Sequence, residues 1–164
     1  MIENTKTRLE TIVLKIFNRR SGRLEKIRCF LDTGSNRSFV TKSCAEQFNL
    51  DIADRTHLYV SVFGKTAKKL QVDVTKVQLF GDKMEPKCEV DLCIIENLLS
   101  DLNSYELSPR QQDFLSCSGF SLADPDAGKN GKLKIDVLLG QDCARLIANG
   151  ETIVLPGGSL LVPT

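Results

Sequence analysis

The chain has 164 residues, 41% hydrophobic and 26% charged, with a net charge of +1, which suits one domain over 1–164 with an apolar core under a charged surface. Its lysines and arginines are scattered instead of clustered, which argues against nucleic acid or an anionic membrane as partner. No apolar run approaches the roughly 18 residues of a membrane span, and Thr5-Lys6-Thr7-Arg8 stands where a signal peptide would be apolar, so a soluble, cytoplasmic protein is expected.

Thr11 to Phe17 is rich in β-branched and apolar residues, Asn18-Arg19-Arg20-Ser21-Gly22 has turn chemistry, and Leu24 to Leu31 returns as a second strand. This predicts a hairpin that delivers Asp32 at its end. Ser43-Cys44-Ala45-Glu46 has capping-box spacing, with Phe48 and Leu50 placed to pack inward, so a short helix led by Ser43 is expected. Leu58 to Phe63 and Leu70 to Phe80 flank Gly64-Lys65-Thr66, and Val72, Val74, Val77 and Leu79 recur along the second arm. A long hairpin with a glycine near its tip is predicted. Cys88, Val90 and Leu92 alternate with charged neighbours in a strand from Lys87 to Ile95.

After that strand the character changes. Ser108-Pro109-Arg110-Gln111 combines an N-cap serine, proline at the first helical position and glutamine at N3, and Gly119 offers a stop, which predicts a helix. It belongs to an excursion over 97–132 that ends in the turn-forming stretch Ala123 to Gly131. Leu133 to Leu139 is an apolar strand closed by Gly140. A short helix from Asp142 toward Ala148, stopped by Gly150, and strands at Thr152 to Leu155 and Ser159 to Val162 complete a mainly β chain.

The six cysteines (Cys29, Cys44, Cys88, Cys93, Cys117 and Cys143) contain no Cys-x-x-Cys pair, and the single histidine, His57, has no ligand partner at motif spacing. Reduced, mostly buried thiols and no metal or cofactor are expected. Nothing around His57 suggests a cysteine nucleophile.

The stretch Phe30-Leu31-Asp32-Thr33-Gly34-Ser35 carries the chemistry. An apolar strand ending in Asp-Thr-Gly is how aspartic peptidases present their catalytic carboxylate, and two such carboxylates must face one water. The motif occurs once, so the chain is either half of a two-fold dimer or not an enzyme. Alone, Asp-x-Gly also fits an ordinary turn. Read with Val137-Leu138-Leu139-Gly140-Gln141-Asp142, however, the chain resembles the retropepsins, the dimeric aspartic peptidases of retroviruses and long-terminal-repeat retrotransposons. The likeness is closer to the BEL/Pao retrotransposon peptidases, through Leu31 to Thr41, a Phe63-Gly64 hairpin, Leu122-Ala123-Asp124-Pro125 and Ile135 to Asp142. It covers about residues 10 to 164.

The resemblance implies a retropepsin-like closed β-barrel (acid protease fold, one lobe per subunit), with a short helix after the late glycine strand and a helical insertion near 97–132. It implies that Asp32 faces its twin across a two-fold axis, the pair sharing one proton because close carboxylates cannot both ionise cheaply. Thr33 would bond across the dimer, Gly34 would let substrate approach, and Ser35 would sit beside the carboxylate. Asn36 and Arg37 would line the substrate groove. Ser38 would meet Asp142 and fix the active loop against Leu139 and Gly140. The hairpin at about 58–75, with Phe63, Gly64 and Lys65, would be the flap closing over an extended peptide.

Two positions depart from the retroviral pattern: Asn36 replaces an aspartate and Gln141 an arginine, so an ionic link is exchanged for polar groups. The N- and C-terminal strands, Thr11 to Phe17 and Ile153 to Val162, would interleave at the dimer contact, since they would otherwise expose edges. The family usually continues beyond Pro163-Thr164, so one domain of a polyprotein or a larger host protein is expected. The implied function is a homodimeric aspartic endopeptidase acting on a retrotransposon polyprotein or, if domesticated, a host substrate. The alternative is a catalytically silent module of the same fold that dimerises or binds peptides. Relation to the ubiquitin-shuttle proteases gains no support from Leu122 to Pro125.

Overall fold

The computed structural model describes residues 10–60, 68–98, 106–127, 129, 133–143, 147, 153–154 and 160–161. Strands Thr11–Asn18 (β1) and Arg23–Leu31 (β2) form the expected hairpin, paired from Asn18↔Arg23 to Thr11↔Phe30. Period-two alternation sets its faces: Ile12, Leu14 and Ile16 are buried with Ile27, Cys29 and Leu31, while Phe17 is exposed. Asn18 closes the turn. Its Oδ1 accepts the amides of Arg20 at 2.9 Å and Ser21 at 3.3 Å, and Gly22 supplies the positive φ of +70° that the turn requires.

Ser38–Thr41 (β3) runs straight into a helix, Lys42–Gln47 (α1). Its cap is Thr41 and not Ser43, because the last residue of the strand already has the extended backbone of an N-cap (φ −69°, ψ 143°) and its Oγ1 accepts the Cys44 amide at 3.2 Å. Asp54–Val60 (β4), Lys68–Phe80 (β5) and Pro86–Ile95 (β6) follow. β5 serves two partners: it pairs with β4 from Val60↔Lys68 to Asp54↔Val74 and with β6 from Val74↔Cys93 to Phe80↔Pro86. The one-residue slip in its apolar pattern between Val74 and Val77 falls where the strand passes from one partner to the other. Residues 61–67, the tip of the hairpin, lie outside the described residues.

The second helix, Pro109–Cys117 (α2), starts as expected. Ser108 and Gln111 form the reciprocal capping box, and Gly119, with φ +72°, follows the C-cap Ser118. The late strand is shorter than its sequence pattern: Val137–Leu139 (β7), not Leu133 to Leu139. Asp136 ends it early, since its side chain accepts the Arg28 amide at 3.1 Å in a position where a ladder carbonyl would serve. Gln141 to Cys143 is a turn and Ile147 is buried, but most of the helix expected toward Ala148 lies outside the described residues. Ile153–Val154 (β8) and Leu160–Leu161 (β9) pair with each other as a separate two-stranded sheet.

The main sheet has the order β1-β2-β7-β3-β6-β5-β4, and β1 also pairs with β5 at Lys15↔Phe80. Six strands thus close into a barrel around the core, and β4 stands outside the ring. Besides its full ladder with β2, β1 pairs with β5 among the described residues only at Lys15↔Phe80, the contact that closes the ring. The described part of the 97–132 excursion docks on the first hairpin. Arg28 grips the buried Asp124 through two hydrogen bonds of 2.6 and 3.2 Å, and Val13 donates its amide to the Ala123 carbonyl at 2.9 Å. Among the described residues, no helix is long and apolar enough to cross a membrane.

Candidate active site

The topology places the Asp-Thr-Gly segment under a specific constraint. β7 lies between β2 and β3, parallel to the first (Leu31↔Leu139) and antiparallel to the second (Phe39↔Leu138). A chain leaving β2 at Leu31 must therefore cross the end of β7 before entering β3 at Ser38. Residues 32–37 make that crossing.

Asp32 begins it. Its amide donates to the Leu139 carbonyl at 3.0 Å, its carbonyl accepts the Ser35 amide at 3.2 Å, and its Oδ1 accepts the Gly34 amide at 2.9 Å. This is an Asx-type turn in which the aspartate is oriented by its own loop. A Cβ on Gly34 would stand 3.1 Å from that Oδ1, so glycine allows the amide and carboxylate to approach. The carboxylate is half-exposed, and among the described residues its Oδ2 takes no hydrogen bond.

The end of β7 supports the crossing from below. A Cβ on Gly140 would lie 2.4 Å from the Arg37 carbonyl oxygen and 2.7 Å from that of Ser35. Only a glycine lets the loop pass this close. The Gln141 amide donates to Ser35 O at 2.8 Å, and its side-chain Nε2 donates to Thr33 O at 2.6 Å. Ser38 is fully buried and joins both sides: its Oγ accepts the Gly140 amide at 3.0 Å and donates to Asp142 Oδ1 at 2.6 Å, while its amide donates to Asp142 Oδ2 at 3.1 Å. Ser35 Oγ donates to Arg37 O at 2.8 Å, which tightens the exposed corner at Asn36 and Arg37.

No protein-family model matches the chain, and no characterised protein matches it in sequence.

Of the expected site residues, Asp32 to Ser38, Leu139, Gly140 and Asp142 meet at this one rim of the barrel. Phe63, Gly64 and Lys65 lie outside the described residues. The arm that leads to them leaves the barrel wall at Val74, opposite Cys93 and hence Phe39, and carries exposed Tyr59 and Leu70. Sequence reasoning noted Gln141 only as a substitution and missed its role. It clamps the Thr33 carbonyl, and its position directly after Gly140 was the available signal. Among the described residues, no group of three or more His, Cys, Asp or Glu side chains is placed to hold a metal ion. Two clefts of about 440 Å³, one lined by Phe17, Leu24, Leu50 and Phe80, the other by Leu115, Phe120, Leu122 and Pro125, do not include Asp32.

The Ser38 brace makes a prediction. Ser38→Ala orphans a buried Gly140 amide and one Asp142 oxygen together, and should cost about 2–3 kcal/mol of stability in urea unfolding. A loss within ~0.5 kcal/mol would show that the brace carries no load.

Proposed function

We propose that the chain is one subunit of a homodimeric, retropepsin-like aspartic endopeptidase. The observation that carries the reading is the crossing loop: it holds the Asp32 carboxylate at the barrel rim with Oδ1 engaged by Gly34 and with Oδ2 free of hydrogen bonds among the described residues, on a foundation of Gly140, Gln141, Ser38 and Asp142. The neighbouring carboxylate, Asp142, is already engaged by Ser38, so the second catalytic carboxylate comes from another copy of the chain.

In the dimer the two Asp32 side chains share one proton. The ionised carboxylate takes a proton from a water, the water oxygen attacks the peptide carbonyl carbon, and the protonated carboxyl donates to the carbonyl oxygen. Collapse of the tetrahedral intermediate breaks the C–N bond as the nitrogen is protonated. The β4–β5 arm, with Tyr59 and Leu70 exposed, covers an extended peptide substrate and excludes water. The natural substrate on this reading is a retroelement polyprotein or a host protein. The test is cleavage of a peptide library from acidic to neutral pH by wild type and by Asp32→Asn; equal turnover in the two proteins would sink the proposal.

A further inference from the structure

We propose that Cys88 and Cys143 form an oxidative modification site, a thiol pair that closes to a reversible disulfide and staples the turn after Gly140 to β6. This inference does not rest on the peptidase reading. All six cysteines are free and five are buried, but Cys88 and Cys143, 55 residues apart, are brought to a Sγ–Sγ distance of 2.8 Å. A covalent S–S bond is about 2.05 Å long, so closure moves the sulfurs by less than ~1 Å. Cys88 projects from β6, and Cys143 sits in the turn whose amide donates to Gly140 O at 3.1 Å. The bond would therefore tie the foundation of the crossing loop to the barrel wall.

The two thiols are not equivalent. Cys88 is 9% exposed and Cys143 1%. The hydrogen bond between them holds the Cys88 thiol below its ordinary range and, with burial, pushes Cys143 up. Cys88, the more exposed of the two, is the sulfur that a small oxidant reaches and therefore the attacking one. Elsewhere in the core, burial pushes Cys29 well up and Cys44 up to about 12, which leaves those thiols inert.

The oxidant is a small peroxide. The Cys88 thiolate attacks one oxygen of hydrogen peroxide, the O–O bond breaks, and a sulfenic acid forms as the departing hydroxide takes up a proton to become water. The Cys143 sulfur then attacks the Cys88 sulfur, its proton leaving with the sulfenic hydroxyl as a second water. Two thiols and one peroxide thereby give one disulfide and two waters, and an added dithiol reverses the step by exchange.

The test is peroxide treatment of the purified protein, alkylation, and tryptic mapping without reduction. The expected product is a peptide containing Cys88 joined to Ile135–Arg145, lighter by two hydrogens and released by dithiothreitol. Closing a loop of this length should raise Tm by about 10 °C in wild type and in Cys93→Ser, and not in Cys88→Ser. Alkylation of both Cys88 and Cys143 in the peroxide-treated, denatured protein would overturn the proposal, as would a bond formed through Cys93 or Cys117. Cys88 and Cys93 share the tryptic peptide Cys88–Arg110, so fragmentation of the linked wild-type peptide, with Cys93 found alkylated, assigns the bond to Cys88 and decides the matter even if Cys88→Ser fails to fold.

Discussion

Gly140→Ala is expected to destabilise the protein by about 3 kcal/mol or more and to abolish any activity that depends on Asp32. The added methyl would lie 2.4 Å from the Arg37 carbonyl oxygen, 2.7 Å from the Arg37 carbonyl carbon and 2.7 Å from the Ser35 carbonyl oxygen. All three are backbone atoms, so no side chain can rotate away to relieve the clash. Either the crossing loop lifts from β7 and loses the Gln141 bonds to Thr33 and Ser35, or β7 withdraws from between β2 and β3. Urea unfolding measures the first cost and peptide turnover the second. A variant as stable and active as wild type would mean that the loop does not rest on β7 as described.

Asp32→Asn should leave the fold nearly unchanged and lower turnover by at least about 10³-fold. The asparagine carbonyl oxygen still accepts the Gly34 amide that now bonds to Asp32 Oδ1 at 2.9 Å, so the turn survives. What disappears is a carboxylate able to share and move a proton, and a neutral amide can do neither at any ordinary pH. The two readouts separate the explanations. Unchanged unfolding with lost turnover marks Asp32 as the acid–base group; lost turnover with lost stability marks it as a structural turn residue. If the fold were a silent peptide-binding module, wild type and variant would bind peptides alike and neither would cleave them.

The parts of this fold legible in the sequence are those whose cause is local. Period-two alternation at Ile12, Leu14 and Ile16 is enough to orient β1, and the Ser108-Pro109-Gln111 start is enough to place α2, because each rests on residues a few positions apart. The two glycines of the site were also legible as motif positions, although only the crossing of β7 explains why Gly140 must be glycine. Apart from the meeting of Ser38 with Asp142, which came only with the family resemblance, features with distant partners were not legible. The Lys15↔Phe80 pairing that closes the barrel, the Arg28 grip on Asp124 and the early end of β7 at Asp136 each depend on residues brought together by the whole topology. Thr41 took the helix cap from Ser43 for a related reason: the strand before α1 fixes where extended backbone ends. Gln141 was visible as a changed residue, but its acceptor is a main-chain carbonyl that no side-chain pattern could indicate.

An active site that needs Asp32 from two copies must lose activity when one copy is replaced, and mixing subunits reads that loss. Asp32→Asn is mixed in ninefold excess with wild type, subunits are allowed to exchange, and cleavage is measured per wild-type subunit at a concentration where dimers are full. Random pairing leaves about one wild-type subunit in ten with a wild-type partner, so activity per wild-type subunit should fall about tenfold. Activity per wild-type subunit that does not change on mixing, with exchange verified, would contradict a shared active site.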